Sequence, residues 1–334
     1  MIGIVTFFNA LNFGAVLQAY ALQTYLEKQG YEVMLIKHNS IKQKKMRKSG
    51  IKNDETLFFE KHHSAIREFQ KQLKIGHKSR QFFETVILGS DEIWNIRNLG
   101  CRPLPILYGL GINAGKVIAY APSLGKTKYW QFVIFPYTIF GIKKLQSIGV
   151  RDSNTFDAIS KLSKLSLEYV VDPTFLIDYS QILPPVEYSN YVLIYSYGLD
   201  ENEKGIITKY AKGEEKIIIS TGTYLEWADL NLTPSPFEWI SLIKNADYFF
   251  TNTFHGTVFA IITNQQFISF GSHSDKVVDL LKSLGLIERN QNASDGYDQI
   301  FKFIKKSIKY EDVSPFLEEK VKNSKKFLNE ALRR

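Results

Sequence analysis

Apolar and polar positions along the chain form a repeating order of short strands and amphipathic helices. Ile2–Thr6 is a short apolar run, typical of a strand buried on both faces. Apolar residues at helical spacing follow between Val16 and Leu26, Gly30 ends this helix, and "YEVMLIKHN" is the next strand. This β-α-β unit has about the length that a right-handed crossover between parallel strands needs.

The alternation continues in two series separated by a linker. In the first series, strands are predicted at "ETVIL", "KVIAY", "QSIGV" and "EYVVDPTFLID", and a helix at "DSNTFDAISKL". In the second, strands are predicted at "YVLIYSYG", "KIIIST", "YFFTN" and "FISFG", and helices at "EKGIITKYAKG", "PFEWISLIKNA", "HGTVFAIIT" and "KVVDLLKSLGL". Between the series, "QILPPVEYSN" is predicted to be a linker because its two prolines stiffen it.

Strands that alternate with helices in two series predict an α/β fold with two Rossmann-like domains facing one another across a cleft. We place the first domain at residues 1–180, the second at 181–310 and a basic C-terminal helix at 311–334, with its helical core at about Pro315–Leu332. The segment Ile41–Phe83 is polar, basic and predicted to be partly helical.

Length and charge narrow the class of protein. A chain of 334 residues with 44% hydrophobic and 23% charged residues is typical of a soluble protein with two domains. The net charge of +8 fits anionic partners, but no nucleic-acid-binding motif is present, so we expect no nucleic acid. Basic residues concentrate in His38–Lys48 and Lys302–Arg334, which are either solvated faces or contacts with anionic lipid.

The sequence predicts a cytoplasmic protein, with peripheral membrane contact left open. Its single cysteine, Cys101, cannot form a disulfide within the chain, and the N-terminal segment lacks the basic start of a signal peptide. The longest strongly apolar stretch, Tyr129–Ile142, contains Pro136 and is too short to span a bilayer.

The candidate site lies at the ends of the predicted strands, because Rossmann-like domains bind ligands at the carboxyl ends of their strands. The residues found there are Asn12, Gly14, Asp91, Trp94, Arg151, Ser196, Tyr197, Asn252, Thr253, His255, Gly256 and Lys276. Gly256 and Thr257 open a predicted helix after His255, so their amides are candidates for holding a phosphate or carboxylate. The alternative is that the Ser, Thr, Asn and Asp residues cap helices, and that His255 begins a buried helix.

Two further features have a functional and a structural interpretation. Asp91 and Trp94 form an acid and aromatic pair of the kind that binds sugars, or a capping Asp beside a buried Trp. Arg151 directly follows an apolar strand and can either bind an oxyanion or pair with a nearby acid. We expect no metal site, because the sequence has no HExxH motif, no paired cysteines and no dense carboxylate cluster.

Six motifs together resemble one known family. They are "NALNFGAVLQAYALQTYL", "VILGSDEIWN", "IAYAPSLG", "VRDSNTFDAI", "VVDPTFLID" and "TNTFHGTVFAIITNQQFISF", in the order seen in polysaccharide pyruvyl transferases. The resemblance extends over roughly Ile2–Leu286. It implies a glycosyltransferase-B-like arrangement, with the acceptor on the first domain and the donor on the second.

The resemblance also implies an activity, the transfer of pyruvyl from phosphoenolpyruvate to a pair of sugar hydroxyls. The product is a ketal, phosphate is released, and phosphoenolpyruvate is a co-substrate, with no cofactor. The acceptor expected from the family is a nucleotide- or lipid-linked sugar in the synthesis of capsule, exopolysaccharide or cell-wall glycan.

By the same resemblance, His255 is the catalytic acid and base. The donor side comprises Arg151, Ser196, Tyr197, Asn252, Thr253, Gly256, Thr257 and Lys276. The acceptor side comprises Asn12, Gly14, Asp91 and Trp94. The sequence departs from the family at Thr253, where members of characterised activity often carry arginine, and Lys276 is the candidate to replace that cation.

Two other functions remain open from the sequence. One is a nucleotide-sugar-dependent glycosyltransferase on the same scaffold, which would share the cleft and the histidine. The other is a non-catalytic glycan-binding or scaffold protein, for which Thr253 in the arginine position is the support.

Overall fold

The computed structural model describes residues 1–39, 53–77, 81–271 and 274–333. The strands are β1 (Ile2–Val5), β2 (Val33–Lys37), β3 (Ile75–His77), β4 (Phe83–Leu88), β5 (Ala114–Tyr120), β6 (Ser147–Val150), β7 (Leu167–Tyr169), β8 (Tyr191–Tyr195), β9 (Ile217–Thr221), β10 (Leu230–Leu232), β11 (Tyr248–Thr251) and β12 (Phe267–Ser269). The α-helices are α1 (Phe13–Lys28), α2 (Asp54–Gln70), α3 (Pro136–Lys143), α4 (Ser153–Ser160), α5 (Glu201–Gly213), α6 (Pro236–Asn245), α7 (Phe254–Ile262), α8 (Asp275–Ser283), α9 (Tyr297–Lys305) and α10 (Tyr310–Arg333).

Both sheets have the Rossmann strand order. The first is parallel with the order β3-β2-β1-β4-β5-β6-β7, and the second is parallel with the order β10-β9-β8-β11-β12. In each sheet the chain reverses its direction of travel next to its first strand, between β1 and β4 and between β8 and β11. Ligands of doubly wound sheets bind at such a point. The predicted fold class of two Rossmann-like units is confirmed.

The strands next to the two reversal points are buried on both faces. Every residue of β1 and of β8 is buried, as their apolar runs predicted. One hydrophobic cluster includes α1 and residues of both sheets, and two others fill the outer faces of the first and second sheets. Both sheets are therefore covered by helices on both faces.

Helix α1 joins the two domains. The side chain of Asn12 accepts a hydrogen bond from the Ala15 amide at 2.8 Å and so caps the helix. Phe13 stacks on Trp239 of α6 with ring centroids 4.7 Å apart, and Tyr20 packs on Phe237 at 5.3 Å. The domains are thus in direct apolar contact along α1, and the candidate site lies where this contact meets the strand ends.

The C-terminal helix α10 returns to the first domain. The Ser324 hydroxyl accepts a hydrogen bond from the Val171 amide at 2.9 Å, and Lys116 of β5 donates to the Leu332 carbonyl at 2.9 Å. A Cβ on Gly149 of β6 would lie 2.8 Å from the Phe327 ring, so a glycine is required for this approach. The domain boundaries at 180 and 310 stay predictions.

The structure differs from the predicted elements in several places. The strand predicted at "EYVVDPTFLID" ends at Tyr169, because Asp172 caps a 3₁₀ turn at Pro173–Leu176 and proline has no amide for a ladder. The last helix begins at Tyr310 rather than near Pro315. Strands β3 and β10 were not predicted. The lysine-rich part of the basic run, residues 42–48, lies outside the described residues.

Candidate active site

His255 lies on the first turn of α7, directly after the reversal point of the second sheet. Strand β11 ends at Thr251, and Thr253 caps α7 by accepting the Gly256 amide at 2.9 Å. The His255 side chain is 13% exposed, so it faces the cleft without being solvated on all sides. Its position therefore fits both interpretations of the sequence. His255 lies at the cleft, and it also begins a largely buried helix.

Two residues of the first domain hold His255 in place. Its Nε2 lies 3.7 Å from an oxygen of Asp172, a distance that gives an ion pair when the ring is protonated. A Cβ on Gly14 would lie 2.1 Å from His255 Nδ1, so only glycine allows α1 to approach this closely. Gly14 therefore positions the histidine, whereas its predicted contact with the acceptor stays a prediction.

Asp172 is the central anion of the site. It is fully buried, pairs with the guanidinium of Arg151 and accepts hydrogen bonds from the amide and hydroxyl of Thr174. Burial alone would raise the pKa of this carboxyl, but His255 and Arg151 outweigh it and hold the pKa well below its usual value. Asp172 is therefore a fixed negative charge beside the histidine.

Arg151 is buried between two acids, and its pairing with a nearby acid was one of its two interpretations. Besides Asp172, it lies 3.7 Å from Asp91, which follows β4 at the reversal point of the first sheet. Within the described part of the chain, no group hydrogen-bonds Arg151 Nε or Nη2, or His255 Nε2. Unsatisfied buried polar atoms are costly, and their concentration here is typical of a functional site.

A second ion pair also crosses the cleft. Lys276, at the start of α8, lies 2.5 Å from Glu92, which follows Asp91 in the first domain. Burial alone would raise the pKa of Glu92, but Lys276 outweighs it and lowers the pKa to about 2. The ring of Phe254 lies beneath the Arg151 guanidinium at 4.6 Å and the Lys276 ammonium at 5.2 Å. Lys276 and Arg151 therefore share the ring of Phe254, and the replacement of the family arginine by Lys276 stays a prediction.

The strand ends of the second domain form an ordered loop. Asn252 accepts the Tyr197 amide at 2.9 Å and donates to the Gly198 carbonyl at 3.0 Å. The Tyr197 hydroxyl lies 2.7 Å from that of Tyr195. Ser196 is buried, and among the described residues its hydroxyl has no hydrogen-bond partner. Asn252 thus orders the loop, and donor binding by these residues stays a prediction.

The amides of Gly256 and Thr257 have hydrogen-bond partners within the chain, and donor binding by these two residues stays a prediction. The Thr253 hydroxyl takes the Gly256 amide, and the Thr253 carbonyl takes the Thr257 amide at 3.1 Å. The Thr257 hydroxyl also donates to that carbonyl at 3.0 Å. Thr253 therefore has a structural role at the position where family members often carry arginine, because it caps α7.

The interpretation of Trp94 as a platform for a sugar is also wrong. Its ring is fully buried and stacks against Tyr108 with centroids 6.3 Å apart, and its indole N–H donates to the Leu107 carbonyl at 2.9 Å. The alternative interpretation of a buried tryptophan applies. Asp91 faces Arg151 instead of sharing a sugar site with this ring.

One cavity adjoins the paired residues, and a second lies at neighbouring strand ends. One of about 450 Å³ is lined by Arg151, Asp172 and Phe254 and, on its other wall, by Lys282 and Lys320. Another of about 420 Å³ lies at the strand ends of the second sheet. Its lining includes Lys126, Gly198, Asn252, Gly271 and Ser274. Both volumes suit small ligands.

Asp172 and Glu92 are the site residues that sequence reasoning missed. Each stood inside a motif that carried the resemblance, "VVDPTFLID" and "VILGSDEIWN". The available signal was an acid directly after an apolar strand, which is the same signal that identified Asp91. Asp172 was missed because the segment "EYVVDPTFLID", which contains it, was predicted to be a strand.

The comparison with family models decides the family. The model of the polysaccharide pyruvyl transferase family matches residues 12–274, which include β4, the second reversal point and the helix of His255. The chain belongs to the polysaccharide pyruvyl transferase family. This is a transferase family, so the predicted membership is confirmed. The comparison with curated protein sequences gives no match.

Solved structures confirm the fold of this family member at low sequence identity. MnaA of S. aureus, solved with UDP, has a TM-score of 0.56 at 9% identity and covers 100% of this chain and 97% of its own. UDP-GlcNAc 2-epimerases have TM-scores of 0.54 (Neisseria meningitidis, 8% identity, coverage 99% and 98%) and 0.52 (Methanocaldococcus jannaschii, 11% identity, coverage 91% and 91%). The arrangement is glycosyltransferase-B-like, and this likeness concerns the fold alone.

Proposed function

We propose that this chain transfers the pyruvyl group of phosphoenolpyruvate to two hydroxyls of a sugar, forming a cyclic ketal and releasing phosphate. The observation that carries the proposal is the setting of His255, which lies against Gly14 and beside the buried charge of Asp172. A histidine held next to a fixed anion can carry a proton and give it up again, as this reaction requires.

The first half of the reaction is a proton transfer coupled to an addition. His255 in its protonated form donates to C3 of the enol, which becomes a methyl group and leaves C2 as an oxocarbenium-like electrophile. A sugar hydroxyl adds to C2 as the neutral imidazole accepts its proton. Asp172 stabilises the imidazolium form on either side of this exchange, because it lies 3.7 Å away and is ionised.

The second half forms the ring and expels phosphate. The second sugar hydroxyl attacks C2, and the bond from C2 to the phosphate oxygen breaks with its electron pair. One of the two hydroxyl protons replaces the proton that His255 gave to C3. The other leaves with the phosphate. The same histidine can serve both transfers, so one acid and base is sufficient.

Two cations support the assignment of an anionic donor. Arg151 and Lys276 lie over the same ring, that of Phe254, next to His255 in the chain. Phosphoenolpyruvate has a carboxylate and a phosphate that each need a cation or backbone donors. We propose that Arg151 and Lys276 serve these two groups, with Lys276 exchanging its contact with Glu92 for the ligand.

The test is phosphate release from phosphoenolpyruvate in the presence of lipid- and nucleotide-linked sugars. We expect release only with an acceptor, and a ketal methyl carrying one solvent deuterium when the reaction runs in D₂O. The deuterium in the ketal methyl group reports protonation at C3. A simple phosphatase reaction forms no acceptor product and therefore leaves no deuterium in one. Absence of release with every acceptor, together with absence of phosphoenolpyruvate binding, contradicts the proposal.

A second candidate is transfer of a sugar from a nucleotide sugar. It is favoured by the cavity of about 420 Å³ at the strand ends of the second sheet, and by a shared fold with proteins solved with UDP or UDP-GlcNAc. Thermal stability separates the two functions, since a ligand that binds the native state raises the melting temperature. A shift with nucleotides and none with phosphoenolpyruvate favours the glycosyltransferase.

A further inference from the structure

A solvent-exposed apolar patch lies on the first domain, outside the cleft. It consists of Trp130, Val133 and Ile134 on the 3₁₀ helix Tyr129–Ile134, and Phe140 on α3, and we call these four residues the apolar patch. Their exposed fractions are 58%, 64%, 60% and 53% in that order. Contiguous exposed residues of this size mark an interaction surface.

The segment that carries the apolar patch is amphipathic and firmly anchored. Phe132 and Ile142 are fully buried in the core on the outer face of the first sheet. The opposite side of the same two short helices therefore has to point outward. A surface held in this way is fixed in shape, and its exposed side chains are not explained by packing within the chain.

The charged residues of the segment that carries the apolar patch have one sign. Residues 124–146 contain four lysines and neither Asp nor Glu. Lys144 lies 4.1 Å from the ring of Phe140, and Lys161 of α4 lies 4.7 Å from the ring of Tyr129. Lysines that surround exposed Trp, Phe and Ile side chains are typical of surfaces that enter the headgroup region of a membrane.

We propose that the apolar patch docks this protein on an anionic lipid bilayer, with its apolar side chains in the headgroup boundary and the surrounding lysines against lipid phosphates. Charge complementarity favours this occupant over a second copy of the chain. A two-fold dimer through the same patch would bring identical lysines face to face. None of the helices in the described residues is long and apolar enough to cross a membrane.

The apolar patch is close to the cleft along the chain. Lys126 lines the cavity of about 420 Å³ together with Gly198 and Asn252, and Trp130 follows four residues later. Docking therefore brings the first-domain wall of the cleft, which carries Lys126, toward the lipid surface. On the proposed function, the acceptor is then a lipid-linked sugar rather than a freely diffusing one. This last step alone rests on the proposed reaction, and the docking itself does not.

The test is co-sedimentation of the full chain with vesicles, without any substrate. We expect binding to vesicles of phosphatidylglycerol and phosphatidylcholine, and at least about 25-fold weaker binding to phosphatidylcholine alone, since two lysines near an anionic surface contribute about fivefold each. The double variant Trp130→Ser/Ile134→Ser should weaken binding by about tenfold or more. The matched control Ile287→Ser/Phe316→Ser removes side chains that are 41% and 56% exposed elsewhere, and should bind like the parent.

Two further experiments test the charge of the lysines and the contact of Trp130 with lipid separately. Lys143→Glu/Lys144→Glu should weaken binding to the anionic vesicles, whereas Lys212→Glu on α5 should have little effect. Bromine-labelled lipid should quench the tryptophan fluorescence of the parent protein and not that of Trp130→Phe. Unchanged binding by the double variant, equal binding to both vesicle types, or dimerisation that the double variant abolishes would overturn the proposal. If the parent protein binds vesicles but does not turn over phosphoenolpyruvate, only the proposed reaction is contradicted.

Discussion

The two sheets have the same strand order, but the side chains near their reversal points differ. Acidic side chains predominate in the first domain and basic side chains in the second. The first domain supplies the acids Asp91, Glu92 and Asp172, whereas the second supplies His255 and Lys276. The ion pairs of His255 with Asp172 and of Lys276 with Glu92 therefore cross the cleft. The comparison teaches that neither Rossmann unit holds both sets of charged groups, and that the packing of the domains brings them together.

Arg151 is the exception to this division, because it is a cation of the first domain. Its partners Asp91 and Asp172 belong to the same domain, and its guanidinium lies over Phe254 of the second. Asp279 of α8 also accepts the Ser153 amide at 2.7 Å, which ties the two domains beside it. Arg151 thus lies at the contact between the two domains, and the acids of the first domain fix its position.

The largest expected effect comes from removing the second domain's histidine. His255→Gln should lower turnover by about 10²- to 10⁴-fold, because the acid and base of the proposed reaction is lost. Steady-state phosphate release measures this. His63→Gln, on α2 outside the cleft, is the matched control and should keep full turnover. Equal turnover in His255→Gln and the parent would show that the two reversal points do not share one reaction.

The next effect concerns the first domain's central acid. Asp172→Asn should lower the free energy of unfolding by about 3 kcal/mol at pH 7, because it leaves buried Arg151 without its main counter-charge. The folded pKa of Asp172 is lowered, so its stabilisation is present above the usual carboxyl range and is lost as pH falls below about 4.

Denaturant unfolding from pH 7 to pH 2 measures this difference. The gap between the parent and Asp172→Asn should narrow toward the acid end. Asp157→Asn, at an exposed position of α4, should follow the parent throughout. A gap that stays constant with pH would mean that Asp172 is not the ionised partner of Arg151 and His255.

Gly14→Ala tests how closely the two reversal points must approach. The new methyl group would lie 2.1 Å from His255 Nδ1, so either the ring or α1 has to move. A displacement of about 1 Å can cost about 10²-fold in rate, and we expect a loss of this order in kcat. Gly205→Ala on α5, where a Cβ meets open space, is the control. Unaltered kcat would show that the ring has room to shift.

The smallest expected effect comes from breaking the ion pair between Glu92 and Lys276, the second pair that crosses the cleft. Glu92→Gln should cost about 1 to 3 kcal/mol of unfolding free energy at pH 7, since the folded pKa falls from 4.5 to about 2. The stabilisation is present above pH 4.5 and is lost as pH falls from there to about 2. Glu201→Gln, in an exposed pair, should have almost no effect. A pH-independent difference would argue against the Glu92–Lys276 pair.

The sequence predicted much of the site because the relevant signals are local. The strands and helices next to the reversal points follow from apolar periodicity, and the residues after a parallel strand share one edge of its sheet. His255, Arg151 and Asp91 were identified in this way, and the structure brings them together around Asp172. The same signal did not separate an acid that caps a turn from an acid that pairs with a cation.

Burial was the property that the local pattern left undecided. An acid three residues before a tryptophan suits a sugar site and a core position equally, and only the packing of Trp94 on Tyr108 selects the core. The outward face of the apolar patch is a similar case. Its residues belonged to the longest apolar stretch of the sequence, and the structure shows which of them the core does not cover.

The sequence by itself determined the two Rossmann-like units, their order and the family, and it placed His255 just after a strand. These depend on periodicity and on short motifs, which are properties of neighbouring residues. The tertiary structure decided the partners, namely Asp172 and Gly14 for His255 and Glu92 for Lys276. The physical reason is that charges and close contacts depend on distance in space, and these distances are set by how α1 packs one domain on the other.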